Sequence, residues 1–305
     1  MDGRTYRRAP SRRAGRVSLG LSLGLTLVVA LGIAGCRAEE GSIPGTDGAA
    51  QSDNGAGAAE EERAVGGETA ADAAIALVSG APPEVRAAVA LDPEPFVGLL
   101  DEVLELPADR TVLVDKAHAL APDSVPADLV ELDSLSDRLV LSRPGHRLTS
   151  DATEALLEMS ADAATEGITL VVSSAYRSYD YQAGVYARWV EQLGQEQADR
   201  VSARPGTSQH QLGTAVDFGC ICDEFASQPA GLWLAANARR YGFSLSYPDG
   251  YEGTTGYAYE PWHFRFVGRS ATELEHRYFA GVQQWMLEFL DREFFRPRRD
   301  GELDG

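Results

Sequence analysis

Apolar side chains change their spacing several times along this chain, and each change marks an element. From residue 70 to 104 the stretches AADAAIALVSG, EVRAAVAL and PFVGLLDEVLEL each repeat apolar positions at helical intervals, which predicts three helices. TVLVDKAHAL then alternates like a strand before turning. TEALLEMSADAATEG returns to the helical period and stops at Gly167. GITLVVSSAYRS is a β-branched apolar run with a polar end, a strand, and YQAGVYARWVEQLG is another amphipathic helix. TAVDFG reads as a short strand, GLWLAANARRYG as a helix closed by Gly242, and FSLSYP and HFRFVG as strands. ATELEHRYFAGVQQWMLEFLD reads as one long helix. Strands and helices mix without a βαβ rhythm and no internal repeat is present, so the pattern predicts an α+β fold.

The first 68 residues obey a different pattern. Six arginines and one acid occupy residues 1–35, where the apolar run VSLGLSLGLTLVVALGIAG leads to Cys36. A positive flank, an apolar stretch and small residues before a cut describe an export signal. IAGC, residues 33–36, resembles the lipobox of bacterial lipoproteins, whose cysteine is acylated. The alternative is an uncleaved anchor helix, because the run approaches the ~20 residues that span a bilayer. Either way the rest of the chain is expected outside the cytoplasm, in the periplasm or on the cell-envelope face, on a membrane tether. Arg12-Arg13 suggests twin-arginine export, but the residues after the pair match it poorly. Residues 37–68 are rich in Gly, Ala, Ser and acids and carry too little apolar surface to offset ordering entropy. They are expected to form a disordered tether with a mean reach of roughly 30 Å.

Charge narrows the partners. Without residues 1–35 the chain keeps 21 basic and 45 acidic residues, a net charge of −24. Such a polyanion repels phosphate backbones, which excludes nucleic acid as a partner.

The strands themselves carry the chemistry. Asp217 stands inside the apolar run TAVDFG, where a buried carboxylate is costly without a partner or metal. Alternate residues share a strand face, so Val216 and Phe218 take the core side and Asp217 the other. In HFRFVG, Phe264 and Phe266 take the core side, opposite His263 and Arg265. His210 lies on the loop leading into the first of these strands. His210, Asp217 and His263 form a two-histidine, one-carboxylate set with an open fourth position, the pattern of catalytic zinc. Glu260, held extended by the proline after it, stands three residues before His263 as a candidate base. The same ligand set suits Fe(II), but that reading leaves Glu260 without a role and fits export poorly. Zinc hydrolysis is the preferred reading. A single histidine is more often a satisfied polar residue, and His118, His146 and His276, with no acidic partner at telling spacing, are read as structural.

Four stretches resemble VanY-type D-alanyl-D-alanine carboxypeptidases, zinc peptidases acting on peptidoglycan stem peptides. They are SAYRSYDYQ (174–182), PGTSQHQLGTAVDFG (205–219), NARRYGFSLSYP (237–248) and TGYAYEPWHFRFVG (255–268). The likeness runs from about residue 95 to 270, with LVDKAHALAPDSVPADLVEL as its opening segment. It implies a single domain over 95–270 built on a small central antiparallel sheet flanked by helices. Around it lie the signal (1–35), the tether (36–68), a helical lead-in (69–94), a C-terminal helix (271–292) and a polar tail (293–305). It also implies one Zn²⁺ per chain on His210, Asp217 and His263, with Glu260 as the catalytic base. Arg177 is implied to bind substrate and stabilise charge on the scissile carbonyl, although an arginine at a strand end also pairs commonly with a surface acid. Gln182 and Ser208 match positions lining the substrate site, Ser208 as a contact for the terminal carboxylate. Gln209 departs from the many relatives that carry glutamate there, a change expected to alter the shell around the ligands.

Trp262 is expected to pack against the ligand loop, and Tyr257 and Tyr259 have no assigned role. Cys220 and Cys222 are open to three fates: a small-ring disulfide, free thiols, or a second metal. The implied function is release of the terminal D-alanine by a monomer held to the membrane through acylated Cys36. An L,D-carboxypeptidase, an endopeptidase of the same chemistry and a non-catalytic wall-binding lipoprotein stand as alternatives.

Overall fold

The structure, a computed structural model, describes residues 69–296. The signal with Cys36, the tether and the end of the polar tail lie outside the described residues.

Three helices open the described chain, and their starts are written in the sequence. α1 (Ala70–Leu77) begins at a reciprocal cap in which Thr69 accepts from the Asp72 amide and the Asp72 carboxylate accepts from Thr69. α2 (Pro83–Leu91) and α3 (Pro93–Leu104) each start on a proline, which lacks only a donor that the first turn leaves unused. The short α4 (Ala108–Thr111), β1 (Leu129–Glu131), β2 (Val140–Leu141) and β3 (Arg147–Thr149) come next. They lead into α5 (Ser150–Thr165), β4 (Val171–Ser174), α6 (Tyr179–Leu193), α7 (Gln195–Val201) and β5 (Ala215–Phe218). α8 (Pro229–Asn237), β6 (Phe243–Leu245), α9 (Glu252–Thr255), β7 (His263–Phe266), α10 (Arg269–Tyr278) and α11 (Gln283–Leu290) complete the order.

The main sheet has the strand order β2-β4-β5-β7-β6, and β1 and β3 form a separate antiparallel pair. The β4–β5, β5–β7 and β7–β6 pairings are antiparallel, with Asp217 opposite both Ser174 and His263, and Ala215 opposite Arg265. One face carries Val172, Val216, Phe218, Phe243, Phe264 and Phe266 against Leu156 and Met159 of α5 and Leu234 of α8. A second core joins Val78, Phe96 and Leu100 to Leu274, Tyr278 and Phe289. The helices before and after the sheet therefore bury one another. The boundaries at 94/95 and 270/271 fall inside α3 and α10. The α+β class is the observed one. Among the described residues, no helix is long and apolar enough to cross a membrane.

Three expectations are corrected. The sheet is not wholly antiparallel: β2 runs parallel to β4 along one edge. TVLVDKAHAL contains no strand, because Val112–Val114 is extended without a ladder partner, and the carbonyls of Arg110 and Val112 accept instead from Arg265 Nη2 at 3.0 and 2.9 Å. The long C-terminal helix is broken between α10 and α11, where Ala280 (φ 54°) and Gly281 (φ 69°) are left-handed. That geometry ends a right-handed helix and costs a non-glycine residue about 1–2 kcal/mol. The Gly281 amide returns to the Glu275 carbonyl at 3.1 Å, closing α10.

Candidate functional site

The register of β5 and β7 sets the site. Residues directly opposite on antiparallel strands share a face, so the pairing of Asp217 with His263 puts both on the side away from the aromatic core. His210 arrives from a tight turn. Ser208 caps it, its Oγ accepting from the His210 amide at 3.3 Å. Gly213 (φ 68°) ends it where a Cβ would lie 2.8 Å from a methyl of Leu129.

All three side chains are almost fully buried, and their candidate ligand atoms lie within 4.8 Å of one another. His210 Nδ1 sits 2.7 Å from the Ala175 carbonyl, which accepts its proton. Its Nε2 therefore carries a lone pair, yet that atom lies 3.1 Å from Asp217 Oδ2 and has no hydrogen-bond partner. His263 repeats the pattern in mirror form. Its Nε2 donates to Gln209 Oε1 at 3.1 Å, which leaves the Nδ1 lone pair 2.9 Å from Asp217 Oδ1. Two nitrogen lone pairs thus converge on one carboxylate. Such an arrangement repels itself unless a cation lies between, and it fits a divalent metal bound by His210 Nε2, Asp217 and His263 Nδ1. Burial lowers the His210 pKa to about 4, favouring the neutral ring that a metal requires. Burial works against charge on Asp217, but the two imidazoles beside it outweigh that cost and hold it well below the usual carboxylate range.

Glu260 faces the cluster with its Oε2 3.7 Å from His263 Nδ1. Burial first, and the Asp217 charge second, push its pKa well above the ordinary value. Arg177 pairs with the buried Asp217 at 2.9 Å rather than with a surface acid. Its Nη1 donates to Gln182 Oε1 at 2.9 Å and its Nε to Ser174 Oγ at 3.1 Å. Gln182 is fixed in turn by donating to the Ala203 carbonyl at 2.7 Å.

His210, Asp217, His263, Glu260, Arg177 and Ser208 all line one cleft of about 350 Å³, with Trp189, Ile221 and Trp262 among its walls. Gln182, expected to line the site, instead stands behind Arg177, buried and bonded to the guanidinium. Trp262 both lines the cleft and packs against the sheet core. Tyr259 is not among the lining residues, while Tyr257 and Tyr247 are. Tyr247 gave no signal in the sequence, yet its ring lies 4.9 Å from that of His263. Cys220 and Cys222 form a disulfide, with Ile221 between them at the cleft. His118, expected to lack an acidic partner, binds Asp115 at 2.8 Å, three residues earlier and outside the cluster.

Fold and donor set together define a class: an α+β domain whose cleft floor could hold a metal ion. Comparison with known proteins sharpens it. The profile of the VanY D-alanyl-D-alanine carboxypeptidase family matches residues 145–269. The Bacillus subtilis protein YodJ, a putative carboxypeptidase by name, is 34% identical over 181 residues, covering 57% of this chain and 65% of that protein. The bifunctional D-Ala-D-Ala dipeptidase and D-Ala-D-Ala carboxypeptidase VanXYC of Enterococcus gallinarum is 32% identical over 58% of this chain and 90% of its own length. Among solved structures, the LdcB LD-carboxypeptidase superposes with a TM-score of 0.53 at 33% identity, covering 58% of this chain and 84% of that one. The chain belongs to the VanY D-alanyl-D-alanine carboxypeptidase family.

Proposed function

We propose that this chain is a zinc-dependent carboxypeptidase that removes the terminal D-alanine from peptidoglycan stem peptides. The observation that carries this is the convergence of His210 Nε2 and His263 Nδ1 on the Asp217 carboxylate, with Glu260 Oε2 only 3.7 Å from His263. Two relatives support the substrate class, since VanXYC is named for cleavage at D-Ala-D-Ala and LdcB for peptidoglycan recognition.

A bound zinc ion supplies Lewis acidity, lowering the pKa of water from about 15.7 to ~7 and polarising a carbonyl. Glu260 Oε2 takes a proton from the attacking water and returns it to the nitrogen of the leaving D-alanine. A carboxylate with a raised pKa suits both halves of that task, because it is basic enough to accept and acidic enough to give back. Arg177 commits three of its five N–H donors to Ser174, Gln182 and Asp217. Arg177 lines the cleft, so the two that remain can meet the charge that develops on the scissile carbonyl oxygen, and losing one such donor typically costs about 2.7–4 kcal/mol. Gln182 holds the guanidinium in plane. Ser208, at the cleft floor, meets the terminal carboxylate. Local cations are needed here, because the chain beyond residue 35 carries a net charge of −24. Attraction across a few ångströms outweighs repulsion from charges more than a Debye length of about 8 Å away.

The export signal and IAGC motif support a domain working outside the cytoplasm, tethered through acylated Cys36. Radiolabelled palmitate should enter the wild type and not Cys36→Ser. The likeness to LdcB supports a second reading, cleavage of an L,D bond at the same centre. Mass spectrometry of purified muropeptides incubated with the protein, with and without chelator, separates the two. Loss of one D-alanine from pentapeptides supports the first, loss from tetrapeptides supports the second, and no chelator-sensitive loss refutes both.

A further inference from the structure

The ligand His263 is held by a chain of buried amides that ends outside the matched family region. Gln209 Oε1 lies 3.1 Å from His263 Nε2 and also accepts from Ser246 Oγ at 2.7 Å. A side-chain amide offers two chemically opposite ends, and either orientation would fill this space. What distinguishes them is Gln283, whose Oε1 accepts from Gln209 Nε2 at 3.2 Å. Gln209, Ser246 and Gln283 are all buried, so bulk water does not compete for these groups. Gln283 Nε2 has no partner, and its Oε1 also lies 3.3 Å from the Ser246 hydroxyl; with the Gln209 nitrogen donating to that oxygen, the Gln209 oxygen faces His263. His263 then keeps its proton on Nε2 and offers the Nδ1 lone pair beside Asp217. Were Gln209 reversed, its NH₂ would face Nε2, the ring proton would move to Nδ1, and the lone pair aimed at the metal would be lost.

The fold delivers Gln283 to this spot through a break in the chain's helical path. It is the first residue of α11, placed there by the left-handed turn at Ala280-Gly281. An unbroken helix would carry position 283 elsewhere. The family match ends at residue 269, so the amide that orients the ligand shell comes from a segment beyond it.

We propose that Gln283 is a positioning residue for the metal centre: it fixes the Gln209 amide and thereby the His263 tautomer that can bind zinc. The inference rests on the metal reading of the site. Zinc dissociation constants, measured by competition with a chromophoric chelator, should be compared in wild type, Gln283→Met and Gln283→Glu. Methionine fills the volume without an acceptor, whereas glutamate keeps one in either protonation state. Gln283→Met should bind zinc on the order of tenfold more weakly or worse, while Gln283→Glu should stay within about twofold of wild type. In the zinc-loaded proteins, the His263 Nε2–H resonance should be protected from solvent exchange in wild type and Gln283→Glu, and lose that protection in Gln283→Met. Circular dichroism of the metal-free variants checks that each is folded; if Gln283→Met is not, Gln283→Leu takes its place. Equal zinc affinity and equal protection in all three overturn the relay alone. A wild type that takes up no zinc overturns the metal reading and the relay with it.

Discussion

The two ends of the short β5–β7 ladder bury opposite charges and put them to different uses. At one end Asp217 faces His263; at the other Ala215 faces Arg265. Both charged side chains lie on the sheet face away from the aromatic core and both are nearly inaccessible. Arg265 is met by backbone at one nitrogen: its Nη2 reaches the carbonyls of Arg110 and Val112 and so ties down the turn after α4, while Nε and Nη1 have no hydrogen-bond partner. Asp217 is compensated by side chains that have chemistry of their own, two imidazoles and the Arg177 guanidinium. A buried charge bonded to carbonyls ties chain to chain, and one flanked by two imidazoles is a candidate metal site. The difference lies in the partners, since the strand geometry is shared.

That contrast can be broken at either end. The largest expected effect is on turnover: Glu260→Gln should lower D-alanine release by at least about a thousandfold, within the range of general acid–base catalysis, while zinc stays near one per chain. Mass spectrometry and metal analysis of one preparation check both. Next, Asp217→Asn should abolish stoichiometric zinc and lower the metal-free unfolding midpoint, because a carboxylate held below its usual range favours the fold and Arg177 loses its partner. Arg265→Met should keep zinc; orphaning two carbonyls costs about 2–4 kcal/mol, offset in part by removing two buried nitrogens that lack partners. Metal analysis of both variants decides this: zinc retained in Asp217→Asn, or lost from Arg265→Met, would erase the distinction.

The smallest effects concern pH. Burial lowers His210 to about 4 in the fold, so the unfolded chain binds the proton first. Stability of the metal-free protein is then lost as pH falls from about 6.5 towards 4. Glu275 behaves oppositely. Burial, only partly offset by Ser244, raises it to about 8, so the folded chain holds that proton and stability falls as pH rises from about 4.5 to 8. The two slopes oppose each other below pH 6.5; above it Glu275 and Glu260, both raised by burial, act in the same direction. Glu275→Gln should flatten the decline between pH 6.5 and 8, measured by urea unfolding across that range.

How much of the fold and site was legible in the sequence depends on the range of the interactions involved. Alternation within TAVDFG and HFRFVG was enough to set Asp217 and His263 opposite the packing residues, because strand faces come from backbone geometry alone. Gly167 and Gly242 likewise mark real stops, each with a positive φ. Arg265 was placed on the correct face, but its use as a brace depends on carbonyls more than 150 residues earlier. The apolar alternation in TVLVD mimics a strand whose carbonyls are in fact taken by that arginine. β2 is only two residues long, too short for any periodic signal. The break at Ala280 was hidden because alanine is the strongest helix former, and only the glycine after it hints at a turn. Tyr247 and Gln283 reach the site through tertiary contacts that leave no local trace.

X-ray absorption at the zinc edge of the purified wild type tests the centre of this picture most directly. One zinc per chain with a first shell of two imidazole nitrogens and carboxylate oxygen, lost in Asp217→Asn, is the expected result. A protein that stays metal-free in excess zinc, or a shell without two imidazoles, contradicts it.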